Sequence, residues 1–149
     1  MKFIPSLDKN FKPAVIEVTE FFKKVEESGL KNEIVICLER SNGYNYVRKF
    51  NVFQDNKGYD DENFRIMERL VKSILWVVGG YKLYIAGSHE LAKRLKAAYF
   101  SKGLRAFDYD FMSKVFEHKF EVIECKPEEI PGEVKQEIKV ENNLNGCRI

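Results

Sequence analysis

Three small groups of residues have the types and spacings that chemistry requires. Gly87-Ser88-His89 follows an apolar run and precedes an amphipathic one, so it stands where a strand hands over to a helix. Free N–H groups at such a helix start attract an anion, which makes this group a candidate phosphate turn. The same residues also suit a plainer task, with Gly87 as the break and Ser88 as the helix cap. Tyr44, Tyr46 and Arg48 alternate along one run and share a face, where two rings and a guanidinium could stack on a sugar or a base. Packing on the sheet surface is the competing use. Arg105 and Asp108 are close enough to pair in a loop, and Asp108 or Asp110 suits the cap of a short helix.

The patterns that would make these groups catalytic are missing. The sequence holds neither a GxxxxGKS/T nor a GxGxxG pattern, no GxSxG and no closely spaced Cys–His pair. His89 and His118, the only histidines, stand apart from each other and from any cysteine cluster. Cys37, Cys125 and Cys147 show no CxxC spacing, and Cys37, in the middle of an apolar run, is expected to be buried and inert. No catalytic residue, metal or cofactor is therefore expected. An odd number of cysteines without a secretory signal points to a reducing, cytoplasmic setting.

Composition narrows the class further. The 149 residues carry 25 Lys+Arg against 23 Asp+Glu, a formal charge of +2. That near balance indicates neither a nucleic-acid groove nor an anionic membrane surface as partner. The longest nearly uncharged stretch, Ser73 to Tyr81, is too short to span a bilayer. With 44% apolar and 32% charged residues the chain is globular and can bury a core.

These groups need elements to position them. Phe11, Val15, Val18, Phe22 and Val25 recur at helical spacing, with Phe21 beside them, and Pro13 suits a first helical turn, which predicts a first helix from about Lys12 or Pro13 to Ser28, closed by Gly29. Glu33–Glu39 and Tyr44–Phe53 read as a hairpin joined by Ser41-Asn42-Gly43, with Val47 and Phe53 opposite the tyrosine face. Phe64, Met67, Leu70, Val71, Ile74, Leu75 and Val78 mark a second helix, capped by Asp60 or Asp61 and ended by Gly79-Gly80. Trp76 falls off that stripe and is expected to cover a second contact. Glu68 reads as part of a solvated face. Tyr81–Ala86 is a strand, and Leu91, Leu95, Ala98 and Tyr99 face inward from a third helix that Gly103 closes. Leu104–Phe107 reads as a short strand, followed by a short helix and a last strand, Phe120–Cys125. After Cys125 the chain turns charged, with Pro127 and Pro131, and reads as a linker with one helical turn at Pro127-Glu128-Glu129.

From Glu68 onward a scattered pattern resembles one group of bacterial proteins. It comprises Glu68-Arg69-Leu70-Val71-Lys72, Leu75-Trp76, Gly79-Gly80 and Ile85-Ala86-Gly87. It continues through Gly103-Leu104-Arg105-Ala106-Phe107-Asp108-Tyr109-Asp110-Phe111-Met112 and Phe120-Glu121-Val122. This is similar to the N-terminal region that precedes the kinase-like part in some members of the ROK family of repressors and sugar kinases. The resemblance implies that Asn145-Gly146-Cys147-Arg148-Ile149 approaches the first strand of an actin-like ATPase fold. The family's Asp-x-Gly-Gly-Thr turn, ExGH and CxCGxxGC motifs have no counterpart here, so no catalytic residue carries over.

The expected fold is a mixed α/β domain: a single mixed sheet with an N-terminal β-hairpin and a β–α–β unit, covered by amphipathic helices. Residues 1–125 form that domain and 126–149 a charged linker toward a further domain. The expected function is a non-catalytic accessory domain of a ROK-like sugar kinase or regulator, for assembly or partner contact. Its partner is the rest of a longer polypeptide or a second copy. The alternative is a free-standing module for a carbohydrate or phosphorylated metabolite, with Tyr44, Tyr46, Arg48, Gly87, Ser88, His89, Arg105 and Asp108 as the residues to hold it.

Overall fold

The computed structural model describes residues 14–40 and 44–131. Helix α1 (Ala14–Ser28) leads into β1 (Lys31–Glu39), β2 (Asn45–Phe53) and α2 (Asp60–Val77). Then come β3 (Lys82–Ala86), α3 (His89–Ala98), α4 (Ala106–Val115), β4 (Glu121–Glu124) and a 3-10 turn at Pro127–Glu129. The strands form one mixed sheet in the order β2-β1-β3-β4. β1 pairs antiparallel with β2 and β3, while β3 pairs parallel with β4 across the α3–α4 crossover. The hairpin and the β–α–β unit thus share one sheet, the mixed α/β architecture that the patterning predicts. The Ser41-Asn42-Gly43 turn and the Pro13 helix start lie outside the described residues, as does the tail from residue 132.

Alternation along β1 decides which side is which. Ile34, Ile36 and Leu38 point into the main core, where they meet Phe21 and Val25 of α1 and Ile66, Met67, Val71 and Leu75 of α2. Leu91 and Leu95 of α3 close the same layer. Each such side chain contributes roughly 1.5–3 kcal/mol by leaving water. Truncating one, as in Leu95→Ala, costs about 2–5 kcal/mol because a cavity remains. On the other side, Val35, Cys37, Val47 and Ala86 form a smaller cluster under Ile130. With both faces covered, β1 is apolar without a break in its middle. Cys37 is fully buried there, as its position in the run predicts. Residues 127–131, linker by composition, lie on this back face, where the Asn45 side-chain amide donates to the Pro131 carbonyl at 2.9 Å.

Four local expectations are corrected. Helix α2 is capped by Tyr59 without a side-chain bond, because the Asp60 carboxylate instead accepts from the Asn56 N–H at 3.1 Å. Phe53 does not lie opposite Val52; both enter the main core, and Phe53 stacks on Tyr59 with ring centroids 3.9 Å apart. Helix α3 ends at Ala98 rather than near Gly103. There the non-helical Tyr99 turns its ring inward and donates its hydroxyl to the Glu68 carbonyl at 2.9 Å. Leu104–Phe107 forms no strand: the Arg105 N–H returns to the Ala98 carbonyl, and Ala106 begins α4. Gly103 makes this return possible, since a Cβ there would sit 2.1 Å from the Ala97 carbonyl oxygen.

Candidate functional site

The candidate phosphate turn is already filled by the protein itself. Ser88 caps α3, its hydroxyl accepting from the Leu91 N–H at 3.1 Å. The same hydroxyl donates to Asp55 Oδ1 at 2.6 Å, and Asp55 Oδ2 accepts from the Glu90 N–H at 3.2 Å. A carboxylate thus occupies the positive end of the helix, where a phosphate would have to sit. His89 turns aside to Glu124 at 3.1 Å, joining the start of α3 to β4. Gly87 has a packing reason: at φ 108° it passes so close to β1 that a Cβ would meet the Glu33 carbonyl at 2.7 Å.

The tyrosine face is likewise self-contained. Arg48 donates to the Tyr46 hydroxyl at 3.0 Å and lies 5.1 Å above the Phe50 ring. Phe22 of α1 stacks behind Phe50 at 5.9 Å. Tyr44 stands half-buried just before β2. The ring and guanidinium that would hold a sugar are engaged with each other.

Arg105 and Asp108 are brought together with residues that the sequence reading assigns elsewhere. Asp108 does not cap α4: it lies in the first turn, and Arg105 stands at the cap position without capping the helix through its side chain. Nor do the two rely on each other. Arg105 Nε donates to Glu68 Oε1 at 2.6 Å. Lys72 Nζ and Trp76 Nε1 donate to Asp108 Oδ1 at 3.2 and 2.6 Å. Glu68, Lys72 and Trp76 recur every fourth residue, so they form one stripe of α2 facing α4. Glu68 is buried, not solvated, with 6% exposure, and Asp108 has 2%. A buried carboxylate needs such partners. The hydrogen bond to Glu68 raises the Arg105 pKa further, and burial pushes the Tyr99 phenol well above its ordinary value.

Above this polar layer stands an apolar one. The Trp76 ring stacks on Phe111 at 4.8 Å and on Phe107 at 6.4 Å. Trp76 is 44% exposed, Phe107 69% and Phe111 39%. Leu104 and Val115 continue the exposed apolar row along α4. Phe107, Phe111 and Val115 repeat every fourth residue, so α4 carries a second apolar stripe turned away from the core that holds Met112. The spacing of these residues was visible in the sequence. Which of the two stripes faces inward was not.

These elements define a mixed α/β domain with a satisfied polar layer beneath an uncovered aromatic face. Among the described residues no helix is long and apolar enough to cross a membrane, and no group of three His, Cys, Asp or Glu could hold a metal ion. No protein-family model, curated protein or solved structure matches the chain.

Proposed function

We propose that this is a non-catalytic assembly domain in which the Trp76–Phe107–Phe111 face docks on a second copy of the chain. The observation that carries the reading is the exposure of three stacked rings, one of them held by a hydrogen bond to buried Asp108. A ring whose rotamer is fixed in advance loses little entropy on binding, which is what an interface anchor requires. The occupant is argued from charge. Asp110 and Lys114 pair one turn apart beside the apolar row of α4, at 3.1 Å. Two α4 helices packed antiparallel about a two-fold axis set each Asp110 against the other copy's Lys114, so the face is self-complementary.

In the ROK-like setting suggested by the motif resemblance, such a domain joins the copies of a longer polypeptide. The odd number of cysteines suits the cytoplasm. Trp76 is the single tryptophan, so it reports on its own face. Sedimentation velocity over a concentration series, with emission read in parallel, is the test. Dimerisation with a blue shift, both lost in Phe107→Ser, supports the reading. A monomer with unshifted emission at every concentration sinks it.

The alternative, a small-molecule module, draws on a different place. A cavity of about 390 Å³ between α1 and the start of α2 is lined by Lys23 and Lys24, by Glu20 and Glu27, and by Tyr59, and Lys24 Nζ lies 5.3 Å from the Tyr59 ring. A thermal-shift panel of sugars and phosphorylated metabolites tests it. Saturation at 100 times Kd adds about 2.7 kcal/mol.

A further inference from the structure

The two faces of the sheet are covered very unequally. Helices α1, α2, α3 and α4 each send side chains into the main core, among them Phe21, Ile66, Leu91 and Met112. On the other face Val35, Cys37, Val47 and Ala86 are buried, and the residue from outside the sheet that packs on them, among those described, is Ile130. Ile130 is the buried residue of a strap, residues 126–131, that crosses this face after β4. A single carbonyl supplies the strap's polar ties to the sheet. That of Pro131 accepts from the Asn45 side-chain amide at 2.9 Å and from the Cys37 thiol at 3.5 Å. The other bonds of the strap are its own. The Glu129 N–H donates to the Lys126 carbonyl at 2.8 Å and the Ile130 N–H to the Pro127 carbonyl at 3.3 Å. The Glu129 carboxylate accepts from the Lys126 N–H at 2.9 Å, and Pro127, Glu128 and Glu129 are exposed.

We propose that this strap is a latch: it lifts off the sheet as a unit while the helical face stays folded, and its lifting gates access to the Cys37 thiol. Opening breaks the Ile130 contact and the two bonds at Pro131. The turn inside the strap survives, so little has to be remade on closing. A segment with few buried apolar contacts and an exposed backbone belongs to the low-stability end of a fold. The hinge lies just after Cys125, whose N–H still donates to the Ile85 carbonyl of β3 at 3.0 Å. Closed, the latch leaves Cys37 fully buried and inert. Open, it uncovers the thiol between Val35 and Val47 without disturbing the main core.

Alkylation of the full chain by iodoacetamide, with the label on Cys37 followed by peptide mass spectrometry, tests this. Cys37 should label without denaturant, at a rate that low urea leaves nearly unchanged, because lifting a short strap exposes little surface. Ile130→Ala loosens the anchor and should speed that labelling by about tenfold or more. Asn45→Ala removes one tie at Pro131 without opening a hole over the thiol, and should speed it by about three- to tenfold. Leu95→Ala and the milder Ile66→Val weaken the main core, which is intact in the closed and open forms alike. Both should therefore keep the Cys37 rate within about twofold of the parent. Two results overturn the proposal. One is a Cys37 rate that rises in the core variants by the factor by which each raises its unfolding constant, since the thiol is then reached only through global unfolding. The other is a rate that neither Ile130→Ala nor Asn45→Ala changes, since the strap is then not the cover.

Discussion

The start of α3 and the face shared by α2 and α4 are built from similar materials and end in opposite states. At α3, the helix end, the Ser88 hydroxyl and the Asp55 carboxylate satisfy one another, leaving nothing for a ligand. Between α2 and α4, Asp108 and Glu68 are equally well partnered, yet the rings above them remain in water. Polar satisfaction therefore does not by itself show whether a region is closed. In the first region the groups that could bind are the groups that are satisfied. In the second, the satisfied groups hold Trp76, and beside it lies apolar area that no neighbour among the described residues covers, which on our proposal is the area that binds.

The polar layer under Trp76 should be the most sensitive part. Asp108→Ala leaves Lys72 and the indole N–H without their acceptor, and chemical denaturation should register a loss of about 2–3 kcal/mol. Glu68→Ala, which strands Arg105 in a partly buried position, is expected to cost a similar amount, about 3 kcal/mol. If either variant is as stable as the parent, the layer does not support the face and the contrast with α3 collapses.

Next in size is the α3 cap. Ser88→Ala removes both of its bonds and should cost about 1–2 kcal/mol. Asp55→Ala sharpens the contrast differently, since it vacates the positive helix end. Inorganic sulfate should then raise the melting temperature of that variant more than that of the parent. An equal response in both would mean that Asp55 does not hold the anion position.

On the aromatic face, Phe107→Ser should change stability by less than about 0.5 kcal/mol, as exposed substitutions do. It should nevertheless abolish self-association in sedimentation. A variant that unfolds instead would place Phe107 in the core, contrary to its exposure.

A separate effect, read only at high pH, concerns a third cluster, in which Tyr81 and Tyr84 both donate to Glu39 at 3.1 and 3.0 Å. Burial, and then the bond to Glu39, pushes the Tyr84 phenol up to about 12. The unfolded chain loses that proton near pH 10. The stability contributed by Tyr84 is thus complete below pH 10 and disappears as pH rises through about 12. Melting curves across that window should fall for the parent and flatten for Tyr84→Phe.

Much of this molecule was legible along the chain. The stripes of α2 and α3, the uninterrupted apolar run of β1 and the cap at Ser88 all depend on neighbours within a turn or two, whereas on α1 the expected phase is corrected: Val15 is 72% exposed and Phe21, beside the expected stripe, enters the core. The segment after Gly103 was not legible. Leu104-Arg105-Ala106-Phe107 has the apolar look of a strand, but the return of Arg105 N–H to Ala98 makes it the entry to a helix. Likewise Glu68 sits among charged residues and looks solvated until Arg105 is folded onto it.

The sequence by itself determined the order and kind of most elements, because the 3.6- and 2-residue periods write which side of each element is apolar. It also determined that Trp76 lies off the main stripe of α2. Only the tertiary structure decided what each candidate group meets: Asp55 at the α3 start, Arg48 on Tyr46, Glu68 and Lys72 on the first turn of α4. Those partners are separated by loops and whole elements, and no local period specifies which helix faces which. Packing the two faces of one sheet placed them, and in doing so left the rings of α2 and α4 exposed.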